Sequence, residues 1–146
     1  MLPRDVNILL VEDNPGDVVL TRMALQQSRI SNTLHVVNDG EKALMFLRGE
    51  GEYAGRITPD LVLLDINLPR INGLEVLKEV KLDENLRRIP IVMLTSSVRD
   101  KDVADAYGNY ANSYITKPES LPQLINALQS IEDYWFDLVR RPSVTG

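Results

Sequence analysis

Residues 60–77 read DLVLLDINLPRINGLEVL, and the fold follows from how that stretch is parsed. Asp60–Asp65 places four aliphatic residues, Leu61 to Leu64, between two aspartates. A strand with one wet face alternates apolar and polar residues, whereas an unbroken Val/Leu run suits a strand buried on both faces. Past Asn67, Pro69 and Asn72 the period changes: Leu74, Leu77 and Val80 recur at helical spacing within Gly73–Leu82. A buried strand leading through a short loop into an amphipathic helix is half of a βαβ unit, and such units build parallel sheets.

The same alternation extends in both directions. Further strands are expected at Val6–Val11 (VNILLV), Thr33–Val37, Pro90–Thr95 (PIVMLT) and Asn112–Thr116 (NSYIT). Helices are expected at Pro15–Arg29, after an Asn14 cap with Pro15 in first position, and at Glu41–Arg48, with Ala43, Leu44 and Leu47 on one face. Two more are expected at Arg99–Asn109, carrying Val103, Ala106 and Tyr107, and at Ser120 to about Val139. That last helix has the strongest apolar stripe: Leu121, Leu124, Leu128, Ile131, Trp135 and Leu138. Gly49–Pro59 reads as a loop and RRPSVTG as a frayed end; there is no repeat or low-complexity segment. The expectation is one α/β domain over residues 1–146, with its core at about 5–137. Its architecture is a doubly wound, five-stranded parallel sheet in the order 2-1-3-4-5 with right-handed crossovers. In that order a ligand crevice lies at the carboxyl ends of strands one and three.

Composition closes off several functions. The 146 residues carry a net charge of −5, against the basic face that non-specific nucleic-acid binding requires. With no cysteine, disulfides and thiolate metal sites are excluded. The lone histidine, His35, leaves no room for a multi-histidine metal site and reads as a partly exposed strand residue. No stretch approaches the roughly 18 apolar residues of a membrane span, and the opening MLPRDVNILL is wrongly flanked for a secretory signal, so a cytoplasmic protein is expected.

Polar groups collect at the carboxyl edge of the expected sheet. Strand one runs into Glu12-Asp13, strand three ends in Asp65, strand four in Thr95-Ser96, and strand five in Thr116-Lys117-Pro118. Three converging carboxylates repel one another, and a divalent cation with oxygen ligands relieves that; Mg2+ held by Glu12, Asp13 and Asp65 fits. A carboxylate can also accept a phosphoryl group as an aspartyl phosphate. Such a transfer needs positioning and charge neutralisation, which Mg2+, Lys117 and the Thr95 hydroxyl could provide.

The segments LLVEDNPGD (9–17), DLVLLDINLPRINGLEVL (60–77), IPIVMLTSS (89–97) and SYITKP (113–118) together resemble the receiver domain of bacterial two-component response regulators, the CheY-like branch of the flavodoxin-like fold. The resemblance spans roughly residues 5–137, with all four elements in order. It implies that Asp65 is the phospho-acceptor, Glu12 and Asp13 the acidic pair at Mg2+, and Asn67 a further ligand through its backbone carbonyl. It makes Thr95 the switch hydroxyl, Tyr114 the switch aromatic and Lys117 the phosphate-pairing lysine. It further implies a cis Lys117–Pro118 peptide, a tight loop-to-helix entry at Gly73, and a histidine kinase as partner. Glu12 stands where Asp is frequent, a variation found within the family. GEYAGRITPD (51–60), LPRINGLEVL (68–77) and SIEDYWFDLV (130–139) look like the stand-alone regulators paired with bacterial phytochromes and similar sensor kinases.

Rival readings are weaker. A haloacid-dehalogenase-type enzyme wants a second carboxylate two residues after the first, where this chain has Asn67. A flavodoxin-like cofactor carrier wants a Ser/Thr/Gly phosphate loop after strand one, where the chain has the acidic EDNPGD. A degenerate receiver used only for binding would not keep the acidic triad. After Lys117 there is room for one helix and a tail, too little for a DNA-binding module, and without a long apolar run no membrane contact is expected. Signalling is expected through a homodimer on the face of the fourth helix, fifth strand and fifth helix. There Ile125 and Phe136 lie beside the main stripe, with Tyr107 and Tyr110 nearby.

Overall fold

The computed structural model describes residues 5–27, 31–95 and 113–116, with Asn126, Gln129 and Ser130. Five strands form one parallel sheet: β1 (Val6–Val11), β2 (Asn32–Val37), β3 (Leu61–Asp65), β4 (Ile91–Thr95) and β5 (Ser113–Thr116). Their order is β2-β1-β3-β4-β5, as the alternating pattern predicts. Helices α1 (Pro15–Gln26), α2 (Gly40–Arg48) and α3 (Gly73–Leu82) occupy the first three crossover positions. The expected helices Arg99–Asn109 and, apart from Asn126, Gln129 and Ser130, Ser120–Val139, with the dimer residues Tyr107, Tyr110, Ile125 and Phe136, lie outside the described residues.

The aliphatic runs are buried on both faces. Alternate side chains of β1, β3 and β4 point one way, where Leu9, Val11, Val62, Leu64, Ile91 and Met93 join a core with α2 and α3. Their neighbours Ile8, Leu10, Leu61, Leu63, Val92 and Leu94 point the other way, onto Ala24 and Leu25 of α1. The apolar stripes of α2 and α3 are buried as expected, and each is wider by one residue, Phe46 and Val76 respectively.

Local chemistry fixes the element ends. Asn14, Asp39 and Asn72 each accept a hydrogen bond from the backbone N–H three residues on, capping α1, α2 and α3 at 3.1, 2.7 and 3.0 Å. α1 stops at Gln26, short of the expected Arg29, where the Asn32 side-chain amide donates to the Leu25 carbonyl at 3.0 Å. β4 begins after Pro90, which has no N–H to donate but accepts from Val62 N–H at 3.0 Å. The stretch Gly49–Pro59 is more ordered than a plain loop. It holds a 3₁₀ turn at Gly51–Tyr53, the Tyr53 ring sits 5.2 Å from that of Phe46, and Arg56 donates to the carbonyls of Phe46 and Leu47. Those are C-terminal carbonyls of α2, which lack partners within the helix. His35, on edge strand β2, is half-buried beside Phe46, 5.5 Å between rings. Among the described residues, no helix is long and apolar enough to cross a membrane.

Leu63→Ala, at a position with no exposure in the α1-side core, is expected to lose about 2–5 kcal/mol. Val19→Ala, at a side chain 56% exposed, should stay within about 0.5 kcal/mol. Urea unfolding checks both, as a shift of midpoint at unchanged slope.

Candidate functional site

The sheet register assembles the site. Val11 of β1 lies opposite Leu64 of β3, so the residues that follow, Glu12 and Asp65, leave the core side by side. Glu12 remains attached to the sheet, its N–H donating to the Val37 carbonyl at 3.0 Å. Asp13 follows at an exposed position, whereas Glu12 and Asp65 are 1% and 2% exposed. One carboxylate oxygen from each of the three lies within 4.8 Å of the others.

The two buried carboxylates are oriented by their own chains. Glu12 Oε2 accepts the N–H of Asn14 and Asp65 Oδ1 that of Asn67, both at 3.2 Å. These bonds satisfy part of each carboxylate without supplying positive charge. Two negative charges this close repel by ~3–4 kcal/mol per pair at an effective dielectric of 20. An oxygen-only donor set of three carboxylates suits a hard divalent cation.

The loop from β3 to α3, residues 66–72, forms one rim. It folds back sharply: Leu68 N–H and Gly73 N–H both donate to the Ile66 carbonyl, at 3.2 and 2.8 Å. Gly73 is required by this approach, since a Cβ there would stand 2.1 Å from the Asp65 carbonyl oxygen. The tight entry expected at Gly73 is therefore present. Asn67 sits on the loop with its side chain exposed. Asp39, Gly40 and Arg70, which the sequence reading did not single out, shape the loop's outer side. A Cβ on Gly40 would come within 2.0 Å of the Ile71 carbonyl oxygen. Arg70, with φ of 68°, reaches Asp39 at 3.7 Å and Glu41 at 3.5 Å. The Asp-Gly pair at 39–40 is a usable signal for a helix entry; nothing local marks Arg70 as left-handed.

The backbones of Thr95 and Thr116 pair across β4 and β5, and Tyr114 pairs with Met93, so these segments end at the same sheet edge. The Thr95 and Tyr114 side chains, Lys117 and the Lys117–Pro118 peptide lie outside what is described.

The response regulator receiver domain matches this chain over residues 8–129. The chain belongs to the response regulator receiver family. Response regulator Rcp1 of Synechocystis sp. (strain ATCC 27184 / PCC 6803 / Kazusa) is 42% identical over 136 residues, 93% of this chain and 92% of Rcp1. The crystal structure of the phosphorylated cyanobacterial phytochrome response regulator RcpA is 43% identical and superposes with a TM-score of 0.84, covering 96% of this chain and all of RcpA. The Mn2+-bound form of Rcp1 gives 0.81 at 41% identity, over 94% of this chain and 99% of that structure. The chain is thus a receiver of the CheY-like, flavodoxin-like fold, similar to regulators associated with phytochromes.

Gly73→Ala is expected to lose about 1–3 kcal/mol, because the new methyl meets backbone that cannot swing aside. In amide NMR spectra its shift changes should centre on Asp65, Ile66 and Asn67. Changes confined to α3 would show that the close approach to Asp65 is not what sets the cost.

Proposed function

We propose that this receiver accepts a phosphoryl group from a histidine kinase on Asp65, in a reaction that depends on Mg2+. The observation that carries the reading is the convergence of Glu12, Asp13 and Asp65 at one sheet edge, two of them buried. In a chain of this family such an edge has a direct use. The Mn2+-bound form of Rcp1 and the phosphorylated form of RcpA support a cation and a phosphoryl group as its occupants.

Carboxylates of Glu12, Asp13 and Asp65, with the Asn67 carbonyl, would hold Mg2+, which supplies charge neutralisation for the incoming phosphoryl oxygens. An oxygen of Asp65 attacks phosphorus of the phosphohistidine; the new P–O bond forms as the P–N bond breaks, and the departing imidazole nitrogen retains the bond's electron pair. The Asn67 N–H, already bonded to Asp65 Oδ1, keeps that carboxylate aligned during the attack. Lys117 pairs with one phosphoryl oxygen and the Thr95 hydroxyl donates to another. Turnover is confined to this self-phosphorylation and to slow hydrolysis of the product.

Readout passes through Thr95 and Tyr114: the hydroxyl moves toward the phosphoryl group and the ring turns into the space it leaves, a population shift between two packings. The altered face of the fourth helix, β5 and the fifth helix then serves a homodimer, with Phe136 and Ile125 in its apolar part. The chain acts as a receiver domain in the cytoplasm, and it matches Rcp1 over 92% of that protein's length. Its kinase is of phytochrome type.

Acetyl phosphate with Mg2+ should add one phosphate to the intact mass of wild type and none to Asp65→Asn, and chelation with EDTA should abolish the addition. Labelling that persists in Asp65→Asn rejects the acceptor. For the readout, sedimentation velocity at micromolar concentration with beryllofluoride should show dimer in wild type and monomer in Phe136→Asp. A dimer unaffected by Phe136→Asp would move the interface elsewhere.

A further inference from the structure

The rim of the site is held from α2 by contacts that phosphoryl chemistry does not itself require. Gly40, the first residue of α2, lies so near the loop that only a hydrogen fits between it and the Ile71 carbonyl. Arg70 reaches the same helix end, its Nε 3.7 Å from Asp39 Oδ2 and its Nη1 3.5 Å from Glu41 Oε2. Glu41 and Arg70 are largely exposed, so that pair contributes little. Asp39 differs: its side chain is only 9% exposed, and its other oxygen, Oδ1, caps α2 by accepting Lys42 N–H at 2.7 Å. One carboxylate thus ties the first turn of α2 to the loop beside the acidic cluster.

The backbone of Arg70 carries the complementary sign. Among the described residues it is the only non-glycine with positive φ. A side chain in that region is strained, and it persists where the surroundings over-determine it. Here the over-determining contacts are the approach of Gly40 to Ile71, the Arg70–Asp39 pair and the closure of Gly73 on Asp65 and Ile66. Between these fixed points lies Asn67.

We propose that Arg70 is a positioning residue for the cation site: paired with Asp39, it sets the path of residues 66–72 and so the place of the Asn67 carbonyl. This rests on the cation site proposed above. The guanidinium lies between two carboxylates of α2, so its charge is locally balanced and the effect runs through loop geometry.

Mn2+ binding to the full chain, read from the EPR signal of the free ion well below the melting temperature, separates positioning from plain stability. Arg70→Gly accepts the backbone conformation but deletes the guanidinium, and should weaken Mn2+ binding about tenfold. Arg70→Lys should recover part of that loss. Asp39→Asn keeps a capping oxygen and loses the charge, so it should weaken binding as Arg70→Gly does. Because both act through one link, the double variant should bind no more weakly than either single one. Leu25→Ala, in the core on the opposite face, should lower the melting temperature and leave Mn2+ affinity unchanged. Wild-type affinity in Arg70→Gly, or losses that simply add, would overturn the positioning role while leaving the cation site standing. Wild-type affinity in Asp65→Asn would reject the cation site itself, and the role of Arg70 with it.

Discussion

The pairing of β1 with β3, Val11 opposite Leu64, is the constraint on which the site depends. Behind that pair Leu9, Leu10, Val11, Val62, Leu63 and Leu64 have no exposure at all. Each buried aliphatic side chain contributes roughly 1.5–3 kcal/mol relative to exposure. Together they outweigh, several times over, the ~3–4 kcal/mol by which two close carboxylates repel. The core therefore holds Glu12 and Asp65 in a proximity that neither would adopt in a free peptide. The registers of β3 with β4 and of β4 with β5 carry the edge onward to Thr95 and Thr116.

Sheet order and the acidic edge were legible because both rest on short-range rules. Unbroken aliphatic runs mark strands covered on both faces, and the two cores on either side of the sheet bear this out. Once the strands alternate with helices, handedness and order leave few topologies, and the residue after each run falls at one edge. Glu12, Asp13 and Asp65 could be grouped without knowing any side-chain conformation, and they do meet. Capping residues were legible only in part. Asn14 stood out because a proline follows it, while Asp39 acts as a cap that the expected start at Glu41 passed over.

What was not legible arises where one element's backbone meets another's. The left-handed Arg70 follows from closure of a loop between β3 and α3 against α2, and arginine carries no local preference for that conformation. Arg56 and Tyr53 give Gly49–Pro59 its order by reaching the end of α2, seven or more residues away in sequence, so a local reading finds only turn-forming residues. Gly40 is informative only once Ile71 is known to lie against it.

The two buried acids share a construction that bears on how the site can be both charged and well ordered. Each strand-end carboxylate accepts the N–H two residues ahead, Glu12 from Asn14 and Asp65 from Asn67. Asn14 then caps α1, and six residues past Ile66 Asn72 caps α3. Glu12 is thereby joined to the cap of α1, while beside Asp65 the link to the start of α3 is the Ile66 carbonyl, which accepts the Gly73 N–H. Such a carboxylate is oriented before any ligand arrives, so little ordering remains to oppose binding. The same construction separates fold from chemistry. An asparagine at position 65 keeps an oxygen for the Asn67 N–H while removing the negative charge and the nucleophile, whereas an alanine would release the loop as well. Loss of function in the first variant therefore reports on charge and nucleophilicity, and loss in the second mixes these with the path of residues 66–72.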